Sequence, residues 1–278
     1  MSAFLALFSS LLWGSSDYAG GQLTKRYSPI AVTSATQAIS LIFGLLIALF
    51  ISPFHGEVFG LHGYLFNGVI AGIAGYIGIV CLYSGLATGR MGVVSPISAL
   101  GATLPVAVAL VGGEVLSKMK LAGVVLALIG AFCASGPEFS GGFSLKPLLF
   151  AFGAAGGFGL ALTFMARGSA SNPFMTMLSM RIATIVLGIF LALRYRTLGG
   201  FKKADSGRLI FVGIADFAAN VLLGIATTHG YVSIAIVLGS LFPVVTVALA
   251  FIILRERLHK VQYFGAIFAV AGVCLVSL

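Results

Sequence analysis

Ten stretches of about 20 mostly apolar residues follow one another along the chain, separated by short polar breaks, which is the length a helix needs to cross a bilayer. They predict spans at 3–24, 30–52, 64–87, 92–113, 119–136, 146–168, 173–193, 207–229, 232–254 and 260–278. Several breaks are only a few residues long, such as Gly89 to Met91 and His229 to Tyr231, so neighbouring helices must run antiparallel. The 194–208 connection is the longest polar one.

The pattern also repeats. At an offset of about 142 residues, ALGATLPVAVALVGGEVLSKMKLAG from Ala99 lies over LFPVVTVALAFIILRERLHKVQYFG from Leu241. The overlay sets Glu114 on Glu256, Lys118 on Lys260, Gly123 on Gly265, Gly130 on Gly272 and Ser98 on Ser240. At an offset of 144, Pro29 falls on Pro173, Gln37 on Arg181 and Gly44 on Gly188. Two units are therefore expected, 1–139 and 140–278. Five spans per unit is an odd number, so the halves enter the membrane in opposite senses. The fold class predicted is an all-α integral membrane protein of ten helices in two inverted five-helix repeats, a design that places binding near the midplane between the halves.

Composition agrees. Of 278 residues, 59% are apolar and 8% charged, whereas a soluble domain carries about 25% charge. The net charge of +9 does not indicate nucleic-acid binding, because its Lys and Arg sit in short clusters between apolar runs. Such clusters flank membrane spans and make no continuous basic face. Cys81, Cys133 and Cys274 lie within apolar runs, without the spacing of a disulfide framework or zinc site. The start lacks the basic n-region of a signal peptide and has Asp17 where an apolar core would run.

Ionisable groups inside spans are expensive and mark pathways or internal pairs. Asp17, Arg181 and Asp216 are the three candidates. Trp13 and Asp17 share a helix face at four residues apart, as do Asp216 and Asn220. Tyr76 and Tyr83 lie two turns apart on one stripe. Arg181 has two open readings, as an internal partner for Asp216 or Asp17 or as a pathway residue. Pro96, Pro105 and Pro243 interrupt spans four and nine, and each removes a backbone donor where a hinge or substrate contact can form. Glu114 and Glu256 stand at helix ends beside Lys118 and Arg255 to Arg257, predicting loop ion pairs. The glycines, 37 in all, predict close helix approach in lipid; none sits in a phosphate-binding P-loop pattern. His55, His62, His229 and His259 lie in loops or near helix ends, so no catalytic cluster forms at one depth.

The stretch Pro243 to Gly265, with Glu256 thirteen residues after the proline and Gly265 nine later, resembles the drug/metabolite transporter superfamily in its EamA-like ten-span branch. LLWGSSDYAGGQLTKRYSP is similar to that branch's first span, although Gly101 stands where the second half has Pro243. The resemblance implies a secondary transporter and not an enzyme, in the cytoplasmic (inner) membrane, without fixing substrate or direction; export of amino acids or related metabolites by alternating access is the leading expectation. Uptake of a sugar or of a nucleotide or cofactor precursor is the alternative, and a membrane protein without transport activity the second. It also implies a central cavity lined by helices one, three, four, six, eight and nine. There Trp13, Tyr76 and Tyr83 would form aromatic walls, and Asp17, Asp216, Asn220, Ser98 and Ser240 would meet the substrate. Asp17, flanked by Trp13 and glycines, is the better candidate for a coupling proton. Expected partners are a small molecule and the bilayer, with no nucleic acid, cofactor or metal, in a monomer or homodimer.

Twelve basic residues fall in connections 1–2, 3–4, 5–6, 7–8 and 9–10, against Lys118, Lys120 and Arg167 on the other side. The positive-inside rule then puts both termini outside, whereas the resemblance implies both inside.

Overall fold

A computed structural model describes residues 1–51, 53–88, 94, 97–134, 145–196, 199–254 and 259–277, and among them there is no strand. The helices are α1 (Ser2–Thr24), α2 (Pro29–Ile51), α3 (Tyr64–Thr88), α4 (Thr103–Val111), α5 (Lys118–Ala134) and α6 (Leu145–Ser169). They continue as α7 (Pro173–Tyr195), α8 (Ser206–Thr228), α9 (Val232–Gly239), α10 (Phe242–Leu254) and α11 (Lys260–Ser277). Among the described residues, six segments are long and apolar enough to cross a membrane: Pro29–Ile51, Tyr64–Gly85, Leu145–Ser169, Pro173–Tyr195, Lys203–Thr228 and Val232–Ile253. Ile97–Val111 and Lys260–Val276 are shorter apolar helices. Pro96 and Glu256 lie outside the described residues.

Starts and stops follow local chemistry. Asn172 caps α7 through its side-chain oxygen, which accepts from Met175 N at 2.9 Å, and Pro173 occupies the first helical position. Proline also explains two breaks. Pro105 cannot donate to the carbonyl of Gly101, four residues back, and the backbone there tightens into a 3-10 turn, Leu100–Ala102. Pro243 stands in the same relation to Gly239, where α9 ends. Spans four and nine are thus both interrupted, each four residues before a buried proline.

Packing pairs helices from opposite ends of the chain. α1 lies along α8, α3 along α6 and α7, α2 across α7 and α8, and α5 along α11. At the 142–144-residue offset of the sequence overlay, the α3–α6 pair falls on α8–α1, and α2–α7 and α5–α11 fall on themselves. Lipid gives no hydrophobic drive between helices, so contact rests on small residues and hydroxyls. Ser9 of α1 donates to Ala219 O on α8 at 2.7 Å, and Ser2 to Ala226 O at 2.7 Å. Gly72 of α3 lies directly against the backbone of Met180 on α7, leaving no room for a side chain.

The described connections gather at the two ends of the bundle. At one end, Asn172 Nδ2 donates to Pro53 O at 2.9 Å and His55 O at 3.1 Å. At that end also, Glu114 accepts from Val232 N at 3.0 Å, from Ser233 N and from the Ser233 hydroxyl. Glu114 therefore caps the N-terminus of α9, where the sequence had suggested a loop ion pair with Lys118. Orphan amides at a helix start attract a carboxylate more specifically than a flexible, hydrated lysine does. At the opposite end, Tyr27 donates to Asp205 at 2.8 Å, and Arg26 and Arg208 each approach the same carboxylate at 3.6 Å.

Candidate functional site

A cavity of about 100 Å³ opens in the middle of the bundle. Its walls come from α1, α2 and α3 in the first half and from α6, α7, α8 and the first residue of α10 in the second. The sequence reading had placed helix four on the cavity and left out helices two and seven. Instead Gln37 of α2, with Met180, Arg181 and Thr184 of α7, forms part of the wall, and none of the residues described in span four does. The glycine-mediated approach of α3 to α7 brings α7 inward.

The polar side of the cavity is a single network centred on Asp216. Its Oδ2 accepts from Arg181 Nη2 at 2.7 Å and from Gln37 Nε2 at 3.1 Å. Its Oδ1 accepts from Trp13 Nε1 at 3.1 Å and from Asn220 Nδ2 at 3.0 Å. Arg181 Nη1 donates to Gln37 Oε1. Arg181 is 3% exposed, and its Nε is enclosed without a partner. Of the two readings of Arg181, the pairing with Asp216 is the arrangement found. A buried guanidinium needs such a partner, since desolvation is otherwise uncompensated.

Positions 144 residues apart meet here. Gln37 and Arg181 bond to each other, and both line the cavity. At the same offset Asp17 corresponds to Ala161, Gly72 to Asp216 and Tyr76 to Asn220, and all six are lining residues. Lining positions thus recur at that offset with different chemistry: Asp216 and Asn220 stand 144 residues after Gly72 and Tyr76.

Asp17 stands apart from the network. It lines the cavity within electrostatic range of Asp216 and Tyr83, yet has no hydrogen-bond partner among the described residues. Tyr76 is 1% exposed, and its hydroxyl shares a 2.8 Å hydrogen bond with Ser34. Trp13 packs edge-on to Phe242 with ring centroids 6.2 Å apart.

Of the residues singled out in the sequence, Trp13, Asp17, Tyr76, Asp216, Asn220 and Arg181 come together here. Tyr83, Ser98 and Ser240 do not line the cavity. Tyr83 packs with Leu82, Val94, Ala151 and Ala154, its hydroxyl against Gly20. Ser240 donates to Val237 O at 2.8 Å, within its own helix end. Phe158, Phe242 and Thr184 complete the wall unanticipated. An apolar ring in an apolar span carries no periodic signal of its own, so only the fold could reveal them. No group of three or more metal-binding side chains is found among the described residues.

A model of the EamA-like transporter family matches residues 1–136 and matches again at 145–278. An uncharacterized protein of Methanocaldococcus jannaschii is 26% identical over 121 residues, which are 44% of this chain and 88% of that protein. Those figures make the archaeal protein about half as long as this one. A solved crystal structure of a protein superposes with a TM-score of 0.82 at 18% identity, covering 100% of this chain and 98% of the other.

Proposed function

The chain belongs to the EamA-like transporter family, and from that premise we propose that it carries small metabolites through the central cavity by alternating access. It is an integral, multi-pass membrane protein. The observation that carries the proposal is the cavity itself, walled by residues of both halves at positions 144 apart, such as Gln37 and Arg181. A site shared by two repeats is what lets each half move against the other around a fixed ligand.

The ten-span, inverted five-plus-five organisation, dividing near 139/140, is part of this reading. Support comes from the exchange of helix pairs under the half-shift, from the two successive family matches and from the half-length archaeal relative. The breaks at Leu100–Ala102 and after Gly239 supply the flexible points, and Phe242 at the second break touches the cavity. Asp17 is the carboxylate available for a coupling proton, since Asp216 is held by Arg181. The location proposed is the cytoplasmic membrane and the direction export.

Reconstituted liposomes loaded with a mixed metabolite pool test the proposal. Saturable loss of at least one small solute is expected, falling about tenfold or more (about 1.4 kcal/mol of lost interaction) when Asp17 is changed to Asn. Flux indistinguishable from empty liposomes for every solute would overturn it.

A further inference from the structure

Resting on that transport reading, we infer that the cavity selects a small organic cation, an amine with an apolar body, and that Asp17 is its counter-ion. Three charged side chains line the cavity, Asp17, Arg181 and Asp216. Arg181 and Asp216 neutralise each other at 2.7 Å, which leaves Asp17 as the ionisable group whose charge, when its proton is released, the cavity does not balance.

Hydrogen-bonding capacity gives the same answer independently. Trp13 Nε1 and Asn220 Nδ2 donate to Asp216, Gln37 bridges Asp216 and Arg181, Tyr76 shares a bond with Ser34, and Thr184 donates to Arg181 O at 2.9 Å. Asp17 alone among the described polar lining side chains has no hydrogen-bond partner. A carboxylate facing a cavity accepts hydrogen bonds and, when ionised, offers none, so its complement is a donor bearing positive charge. The groups facing it are Asp216 on α8 and Tyr83 on α3, neither of which supplies such a charge.

A carboxylate on the substrate has no matching cation. Arg181 is already committed, with Nη1 donating to Gln37 and Nη2 to Asp216, and its Nε is enclosed. An anion or zwitterion would place its negative group against Asp17 and Asp216, or break a buried ion pair. The amino-acid expectation is thereby narrowed to the amine half of such a molecule. Trp13, Tyr76, Phe158 and Phe242 supply the remaining wall, and aromatic faces attract cations, Trp most of all. At about 100 Å³, against roughly 150 Å³ for a cavity that takes benzene, the present conformation suits a body of a few carbon atoms.

Three probes of nearly equal shape separate the charge types: 2-methylpropylamine, valine and 3-methylbutanoate. With purified full-length protein, the amine is expected to raise Tm with concentration while valine and the acid leave it unchanged. The Asp17→Asn variant should lose that shift, and Asp17→Glu, which keeps the charge, should retain it. Asp17 holds no partner, so loss of folding does not confound the comparison. A shift from valine or 3-methylbutanoate as large as the amine's, a shift surviving in Asp17→Asn, or no shift from any probe overturns the inference. Flux measurements keep the two claims apart. Carriage of valine but not the amine would leave transport standing and remove the cation assignment; amine binding without flux in liposomes would do the reverse.

Discussion

Arg181 donates its Nη1–H to the side-chain oxygen of Gln37, 144 residues away, where α7 crosses α2 in the middle of the bundle. Equivalent positions of a duplicated chain meet only at the axis relating the copies, so this bond marks where the proposed halves join. On that proposed reading, one of the two equivalent positions is a cation and the other a neutral amide. That difference allows a carboxylate, Asp216, to be bound from both sides at once.

Removing that carboxylate should be costly. Asp216→Ala leaves Arg181 buried without its ion partner and frees Trp13 and Asn220. A loss of about 3–5 kcal/mol is expected, the range for breaking one side of a buried pair. The double variant Arg181→Leu with Asp216→Leu should recover much of it, because no charge is left stranded. Thermal denaturation of the three purified proteins checks both statements; equal Tm for the single and double variants would contradict them.

How much of this was legible beforehand depends on which residues carried a signal. The spans were readable because lipid demands about twenty apolar residues each time, and α1 to α3, α6 and α7 begin and end within a few residues of expectation. Asp17, Arg181 and Asp216 were readable because charge within an apolar span is conspicuous. Whether Arg181 would face Asp216 or Asp17 was not, since both lie on helices that only packing sets against α7. Glu114 misled for a related reason. Its sequence neighbour Lys118 offered an obvious partner, while the amides of Val232 and Ser233 are 118 and 119 residues away. Tyr83 shares a stripe with Tyr76, yet it lies one turn beyond Ile79, the last α3 residue on the cavity, and packs into the Val94 and Ala151 cluster.

The approach of α3 to α7 offers a second test. A Cβ on Gly72 would meet the backbone O, Cα and C of Met180, atoms that cannot rotate away. Gly72→Ala should therefore push the helices apart and destabilise by about 1–3 kcal/mol, as overpacking does. Gly75→Ala, one turn on, meets only the Ala161 Cβ at 3.4 Å and should be tolerated. A Tm for Gly72→Ala equal to that of Gly75→Ala would show that the contact is not rigid.

The cap on α9 predicts an effect outside the cavity. Glu114→Ala removes the acceptor for Val232 N, Ser233 N and the Ser233 hydroxyl, and capping losses run about 0.5–2 kcal/mol. Since both residues act in one contact, Glu114→Ala and Ser233→Ala should be less than additive when combined. A double-mutant cycle on thermal stability reads the coupling; strict additivity would mean the two side chains do not meet.

The placement of the chain ends gives the last expectation. Ser2 bonds to Ala226 near the end of α8, and Gly123, early in α5, packs against Val276 near the end of α11. The end of α8 and the start of α5 both adjoin the connection capped by Glu114, so the N- and C-termini leave the bundle on one face. The opposite face carries Arg26, Arg208 and Asp205. Reporter fusions at the two termini, one type active only in the cytoplasm and one only outside it, should therefore give matching results. Opposite results would require an odd number of crossings and would end the five-plus-five reading. Matching results outside would agree with the positive-inside rule, which draws the Lys25 and Arg26 connection to the cytoplasm.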